Sequence, residues 1–310
     1  MTNNILLKHF TLVGNEILFL DTTYLKLDNS INLSNPFHKK LLFDEGIIIT
    51  KKEIIKKNSR KKVLIIEPHL DDCALSCTGY LIKSLKSGNK ITLLNIFSKG
   101  KLNSFPWKNI NISEQKYENL RLYEAKTFCD YLEINFISFK LKQATKRNHD
   151  SPFSALNKID QKLIYELSKK FSKLIENYDI ILYPGGVQEH IDHIVVYEAI
   201  SLIEKSHPEK KFIVYEEYPY ASNKIAFQGR IKKISENKKI KPKYIPVRNN
   251  LEIMANLAII YRSQFDDINN IQMLALFQDR CRAITQEGIS QGLKLKGEFH
   301  QRIYEVQNEN

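Results

Sequence analysis

The chain has 310 residues, 43% hydrophobic and 26% charged, an ordinary balance for a globular protein with room for one large domain or two modest ones. The net charge of +12 invites an anionic partner, yet no helix-turn-helix or basic, aromatic-interleaved pattern points to nucleic acid, and much of the charge lies in residues 51–62 and 230–243, which read as solvated faces. Lys8, His9 and Glu16 break any signal-peptide core, no run approaches the roughly 18 apolar residues of a membrane span, and Cys73, Cys77, Cys129 and Cys281 lack framework spacing, so a cytoplasmic protein with reduced thiols is expected.

Residues 1–60 stand apart as a β-rich extension without evident chemistry. Phe10 to Val13 and Ile17 to Leu20 flank Gly14-Asn15 as a hairpin, and Tyr24 to Leu27 reads as a third strand. From residue 61 to 310 a single larger domain is expected, because strands and helices alternate. Val63 to Ile66 reads as a buried strand, Ala74 to Ser87 as a helix ended by Gly88-Asn89, and Ile91 to Phe97 as the next strand. A loop holding Trp107 leads to a helix opened by Ser113 and Glu114, then to a strand from Ile134 to Phe139. Residues 140–152 are polar and irregular, a candidate pocket rim. The helix from Ile159 to Asn177 places Leu163, Leu167, Phe171 and Leu174 on one face. Strand 179–183, helix 191–205 and strand 212–216 follow. Such βα order predicts an α/β fold, a Rossmann-like, mostly parallel sheet with helices on both faces, beside the β-rich extension. Beyond Pro219 the order is less regular: a basic, loop-like stretch over 221–243 with room for one helix, a strand near 240–247, two helices near 251–262 and 271–282, and a C-terminal edge strand near 299–306.

Polar residues gather at two strand ends. His69, Asp71 and Asp72 directly follow the strand of Val63 to Ile66, and Glu189-His190-Ile191-Asp192-His193 follows the 179–183 strand and a Pro184-Gly185-Gly186 turn. Ligands in open α/β sheets bind at such strand-to-helix turns. Imidazole and carboxylate suit zinc, and three protein ligands with one open position make a catalytic site. Burying two adjacent carboxylates without a cation is costly. Asp71 could also serve as a helix N-cap, and the spacing alone does not say which of His190 and His193 binds metal.

Here the chain resembles the PIG-L/LmbE-type zinc-dependent deacetylases, whose His-Pro-Asp-Asp-Glu and His-x-Asp-His motifs stand as His69-Leu70-Asp71-Asp72-Cys73 and His190-Ile191-Asp192-His193. Leu70 replaces Pro and Cys73 replaces Glu. The resemblance runs from about Lys62 to the last residues. It implies His69, Asp72 and His193 as ligands of Zn2+, or of another divalent metal such as Fe2+. It also implies Asp71 as general base, His190 as the group that stabilises the transition state, and Asp192 as the residue that orients His190. Arg121 and Tyr218 become substrate-binding residues; their plainer readings are a surface pair of Arg121 with Glu124 and core packing for Tyr218, while Tyr220 offers a second pocket wall. His149 is a more distant candidate for a substrate contact. The implied activity is hydrolysis of an N-acetyl group from an amino sugar or glycoconjugate, which could be anionic. The alternatives are an amidase on another N-acyl substrate, such as a thiol conjugate or modified peptide, and a binding protein that kept the fold without turnover. The sequence is silent on oligomeric state.

Overall fold

The computed structural model describes residues 61–100, 113–264 and 270–307 and, within the first 51 residues, the backbone of five short strands. The expected Gly14-Asn15 turn, Trp107 and the basic stretch up to residue 60 lie outside the described residues.

The early strands are β1 (Asn3–Leu6), β2 (Phe10–Val13), β3 (Glu16–Phe19), β4 (Tyr24–Lys26) and β5 (Ile48–Lys51). β2, β3 and β4 form an antiparallel meander with Val13 opposite Glu16, so the expected hairpin and third strand are present; β1 pairs with β5. The chain continues through β6 (Lys62–Glu67), α1 (Asp72–Ser76), α2 (Thr78–Lys86) and β7 (Lys90–Lys99). Next come α3 (Glu114–Leu132), capped by the Ser113 hydroxyl on Lys116 N–H, and β8 (Asn135–Lys142). α4 (Lys158–Ile175) opens on a capping box between Asn157 and Asp160 and leads to β9 (Ile180–Pro184). α5 (Ile191–Glu204), β10 (Lys211–Tyr215), α6 (Lys224–Asn237) and β11 (Ile240–Pro246) follow. α7 (Leu251–Ile259), α8 (Asn270–Ser290) and β12 (His300–Val306) close the described chain.

These segments group into two compact units. One comprises residues 1–53, 101–133 and 249–279; the other comprises 54–100, 134–248 and 280–310. Within the first, Glu124 on α3 is fully buried and takes both the N–H and the hydroxyl of Ser263, at 2.7 and 2.6 Å. Arg121, one turn earlier, is also buried, so the two do not form the surface pair considered above.

The second unit is built on a seven-stranded sheet in the order β8-β7-β6-β9-β10-β12-β11. The first five of these strands are mutually parallel; β12 runs antiparallel between β10 and β11. The C-terminal strand is therefore interior, and β11 takes the edge that sequence order had suggested for it. Leu64, Ile66, Leu94, Ile181, Tyr183 and Val214 pack in one core with Leu167 and Phe171 of α4, Val196 and Ile200 of α5 and Phe227 of α6. The intervening Val63, Ile65, Leu93, Leu182 and Ile213 are equally buried and, by strand alternation, face the other side. The chain leaves β6 towards β7 and β8 on one side and returns to β9 on the other. That reversal makes the carboxyl ends of β6 and β9 the topological switch point, where an open α/β sheet leaves a crevice.

Candidate metal centre and active site

Both polar motifs lie at this switch point. β6 ends at Glu67, and the following turn carries His69 to Asp72; β9 ends at Pro184, and the 185–190 turn carries His190 to the start of α5. The second turn holds an unusual backbone: Gly186, Gln188 and Glu189 have φ of 74°, 57° and 56°. Two successive non-glycine residues in the left-handed region are strained, and such strain gathers at functional sites. At Gly186 the positive φ favours glycine, and a Cβ would also press on the ends of the Ile194 and Arg230 side chains, 2.6 and 3.0 Å away.

Three side chains converge. His69 Nδ1 and His193 Nε2 are 3.2 Å apart, and Asp72 Oδ2 lies 3.6 Å from the first and 3.5 Å from the second. Ligand atoms at about 2.0–2.1 Å around a tetrahedral ion lie about 3.3–3.4 Å from one another, so this triangle fits one face of such a site. Both ring tautomers are set from behind by carboxylates, which can only accept: His193 Nδ1–H donates to Glu217 Oε1 at 3.1 Å, and His69 Nε2–H donates to Asp192 Oδ2 at 2.9 Å. The nitrogens that face each other are thus the lone-pair sides. Two lone pairs and a carboxylate oxygen at this separation need a positive charge between them. Without one, burial raises the pKa of Asp72, and His193, despite burial, is pushed up to about 9 by Asp72 and Glu217. A divalent ion satisfies the same donors, so the residues present fit a metal. His69, His190 and His193 also form a cluster with nitrogens within 4.8 Å, but His190 Nδ1 already accepts the Asp192 N–H at 3.3 Å. Asp72 completes the tighter triangle.

The remaining expected residues divide. Asp71 precedes α1, but its side chain makes no capping hydrogen bond, so the capping role is not observed. His190 stands with its ring centroid 4.9 Å from His69 and 5.0 Å from His193. Burial, then its two imidazole neighbours, lowers its pKa well below the usual value, so it is a neutral ring with Nδ1 accepting and Nε2–H available as donor. The imidazolium held by the Asp192 carboxylate is replaced by this arrangement. The carboxylate of Asp192 instead serves His69, and it is gripped by Arg147 Nη1 at 2.6 Å and Ala144 N–H at 3.2 Å. Arg147 also donates through Nε and Nη2 to the buried Asp160, at 3.1 and 3.0 Å. His149 is buried against Asp160 and Asn157, which removes it as a substrate contact. Tyr218 lies under the Arg280 guanidinium, 3.2 Å from its ring centroid, and packs on the core. Tyr220 is the tyrosine at the site, 5.4 Å from His193 and 5.7 Å from His190. Arg121 belongs to the first unit.

Sequence reasoning missed Glu217, Arg147 and Asp160. Glu217 had a signal, a carboxylate just past the β10 strand end; Arg147 and Asp160 had none, since a polar loop and a helix N-terminus ordinarily carry such residues. Cys73, which stands where the family motif has Glu, is buried, and its N–H meets Glu67 Oε2 at 3.1 Å.

The profile of the family described as PIG-L, GlcNAc-PI de-N-acetylase, matches residues 64–203, a span that holds both motifs. The matched span is somewhat less than half of the chain. A curated relative, the 2'-N-acetylparomamine deacetylase of Streptomyces fradiae, is 23% identical over 177 residues, 54% of this chain and 60% of that protein, so the match spans less than two thirds of the relative. Among solved structures, a deacetylase of teicoplanin biosynthesis superposes with a TM-score of 0.64 at 15% identity over 80% of this chain and 99% of its own; its zinc-inhibited form gives 0.62, with the same identity and coverage. The 4-carboxy-2-hydroxymuconate hydratase of Pseudomonas putida superposes with a TM-score of 0.53 at 10% identity over 81% of this chain and 98% of its own. The same fold therefore occurs in both deacetylases and a hydratase, and the site must decide the chemistry. No described helix is long and apolar enough to cross a membrane.

Proposed function

We propose that this protein is a metal-dependent hydrolase that removes the N-acetyl group from an amino sugar or glycoconjugate in the cytoplasm. The observation that carries the proposal is the triangle of His69 Nδ1, Asp72 Oδ2 and His193 Nε2 at 3.2–3.6 Å, backed by Glu217 and Asp192. Those three atoms would hold Zn2+ or another divalent ion such as Fe2+. When bound, such an ion supplies Lewis acidity to an amide carbonyl and makes water a usable nucleophile at neutral pH. Asp71, next in chain to Asp72, takes the proton of the attacking water and returns it to the leaving amine. His190 donates its Nε2–H to the oxygen that gains negative charge. Asp192 and Glu217 keep the two ligand rings in the correct tautomer, and Tyr220 walls the site. Arg121 retains the substrate contact implied by the resemblance, to be read as a raised KM in R121A. The names of the relatives, deacetylases of paromamine and teicoplanin compounds, support an amino-sugar substrate.

The test is metal analysis of the purified protein together with acetate release from N-acetylglucosamine derivatives, with zinc and ferrous loading compared because a related deacetylase was solved in a zinc-inhibited form. Acetate release that is lost in D71N with metal retained is expected. A metal-loaded protein that releases no acetate from any N-acetyl amino sugar overturns the proposal.

A further inference from the structure

Arg230 of α6 is 5% exposed, and its guanidinium is held on two sides. Nε donates to Gly185 O at 2.6 Å, and the guanidinium carbon lies over the Tyr197 ring, 4.4 Å from the centroid. Gly185 O is the one hydrogen-bond acceptor it meets among the described residues; Nη2 is buried without a partner, and no carboxylate pairs with the group. Its neighbours and counterparts are treated differently. Lys238, over the same Tyr197 ring at 4.8 Å, is paired with Glu204. Arg147 and Arg302, as deeply buried as Arg230, each hold two carboxylates. A buried cation without a counter-charge is costly, so this one calls for an anion.

Arg230 and Lys233 line a cavity of about 550 Å3, a size suited to a small ligand. Glu189 is the single carboxylate in that lining, and it lies 3.5 Å from Lys233 Nζ, which leaves the charge of Arg230 uncompensated. The amino end of α6, a 14-residue helix, reaches the same wall through Asn223 and Ala226, where Asn223 Oδ1 accepts the Ala226 N–H at 3.1 Å. The positive end of the helix dipole adds to the attraction for negative charge. A guanidinium fixed at Nε and across its face presents its outer nitrogens as a rigid fork, the shape that carboxylate, phosphate and sulfate oxygens match. Gly185 opens the turn that leads to His190, so Arg230 also joins this cavity to the backbone of the active-site turn.

We propose that this cavity is an oxyanion site: a free carboxylate, phosphate or sulfate ion accepts hydrogen bonds from the outer nitrogens of Arg230, with Lys233 and the amino end of α6 as further attraction. The ion offsets the buried charge and keeps Arg230 on the Gly185 carbonyl. Two sources share this chemistry, the acetate that the proposed reaction would release and an inorganic oxyanion from solution. Binding requires no turnover, so the inference goes beyond the deacetylase reading and does not depend on it.

The test titrates sodium sulfate and sodium acetate separately into the metal-loaded full chain by isothermal calorimetry at fixed ionic strength. The natural protein, R230M and K233E are compared, with circular dichroism to establish folding. One ion per chain is expected, each ion displacing the other, with affinity weakened about tenfold or more in R230M and about fivefold in K233E. Tighter binding of acetate assigns the site to the reaction product; tighter binding of sulfate assigns it to an inorganic oxyanion. Absence of saturable binding overturns the proposal. So does binding that R230M leaves unchanged, because the ion then sits on the metal or on another face. If R230M does not fold, K233E decides, since the Lys233 side chain is 60% exposed and its replacement leaves the core intact. Binding that weakens in K233E supports the site, and undiminished binding overturns it. A protein that binds the ion through Arg230 but releases no acetate from N-acetylglucosamine derivatives keeps the oxyanion site and loses the deacetylase reading.

Discussion

Replacing Glu217 tests the metal centre without touching a proposed ligand. Glu217 is fully buried, and its Oε1 collects the His193 Nδ1–H at 3.1 Å, the Gly186 N–H at 2.6 Å and the Val187 N–H at 3.3 Å. One carboxylate oxygen thus holds a ligand ring and the start of the strained turn. E217Q keeps the shape and an accepting oxygen but removes the charge that makes His193 a strong donor to metal. E217A removes all three bonds and leaves two backbone N–H groups unpaired. Carboxylates behind a ligating histidine are worth about 10–100-fold in metal affinity, or about 1.4–2.7 kcal/mol. The expected loss is near the lower end for E217Q and near the upper end for E217A, which also loses about 1–3 kcal/mol of stability for each orphaned N–H. Zinc affinity measured by competition with a chromophoric chelator, with circular dichroism to establish folding, gives the answer. If both variants are folded and bind zinc within twofold of the natural protein, the tautomer argument is wrong. The pH dependence supplies an internal check. Metal must displace the proton from His193, whose pKa is pushed up to about 9, so affinity should rise with pH and level off near that value. In E217Q one of the interactions that raise this pKa is weakened, and the plateau should begin at lower pH.

H193A and H69A should lose metal, whereas H190A should bind it with near-natural affinity and lose about 10²–10³-fold in kcat, as removal of one oxyanion donor does; equal loss of metal in all three would make His190 a ligand. D71N should retain metal and lose about 10²–10⁴-fold in turnover, the range for general acid–base catalysis; full activity in D71N would remove Asp71 from the mechanism. R147M strips the buried partner from Asp160 and Asp192, so chemical denaturation should show a loss of about 3–5 kcal/mol, against a negligible change if the network is solvated. Chelator treatment should abolish acetate release and readdition of a divalent ion should restore it; activity that survives complete metal removal contradicts the proposed chemistry.

The helices and strands of the larger sheet were legible because their signals are local. Val63 to Ile66 is a continuous apolar run, α4 repeats its apolar residues at helical spacing behind an Asn157 cap, and polar clusters interrupt the chain at two strand ends. The His69–Asp72 and His190–His193 motifs singled out His69, Asp72 and His193 in the sequence, and the structure brings those three side chains together at the sheet's switch point. The place of the C-terminal strand was not legible, since an antiparallel strand between β10 and β11 reads in sequence like one at the edge.

Residue order determined which elements form and which side chains are chemically able to hold a metal, because periodicity, caps and adjacent donors act over a few residues. Only the tertiary structure decided their partners. Asp192 faces His69 across 123 positions of chain rather than its neighbour His190, Glu217 reaches back 24 positions to His193, and Arg147 joins two carboxylates from different helices. Such pairings follow from which strand ends the sheet brings side by side, and nothing in the spacing of residues along the chain encodes that distance.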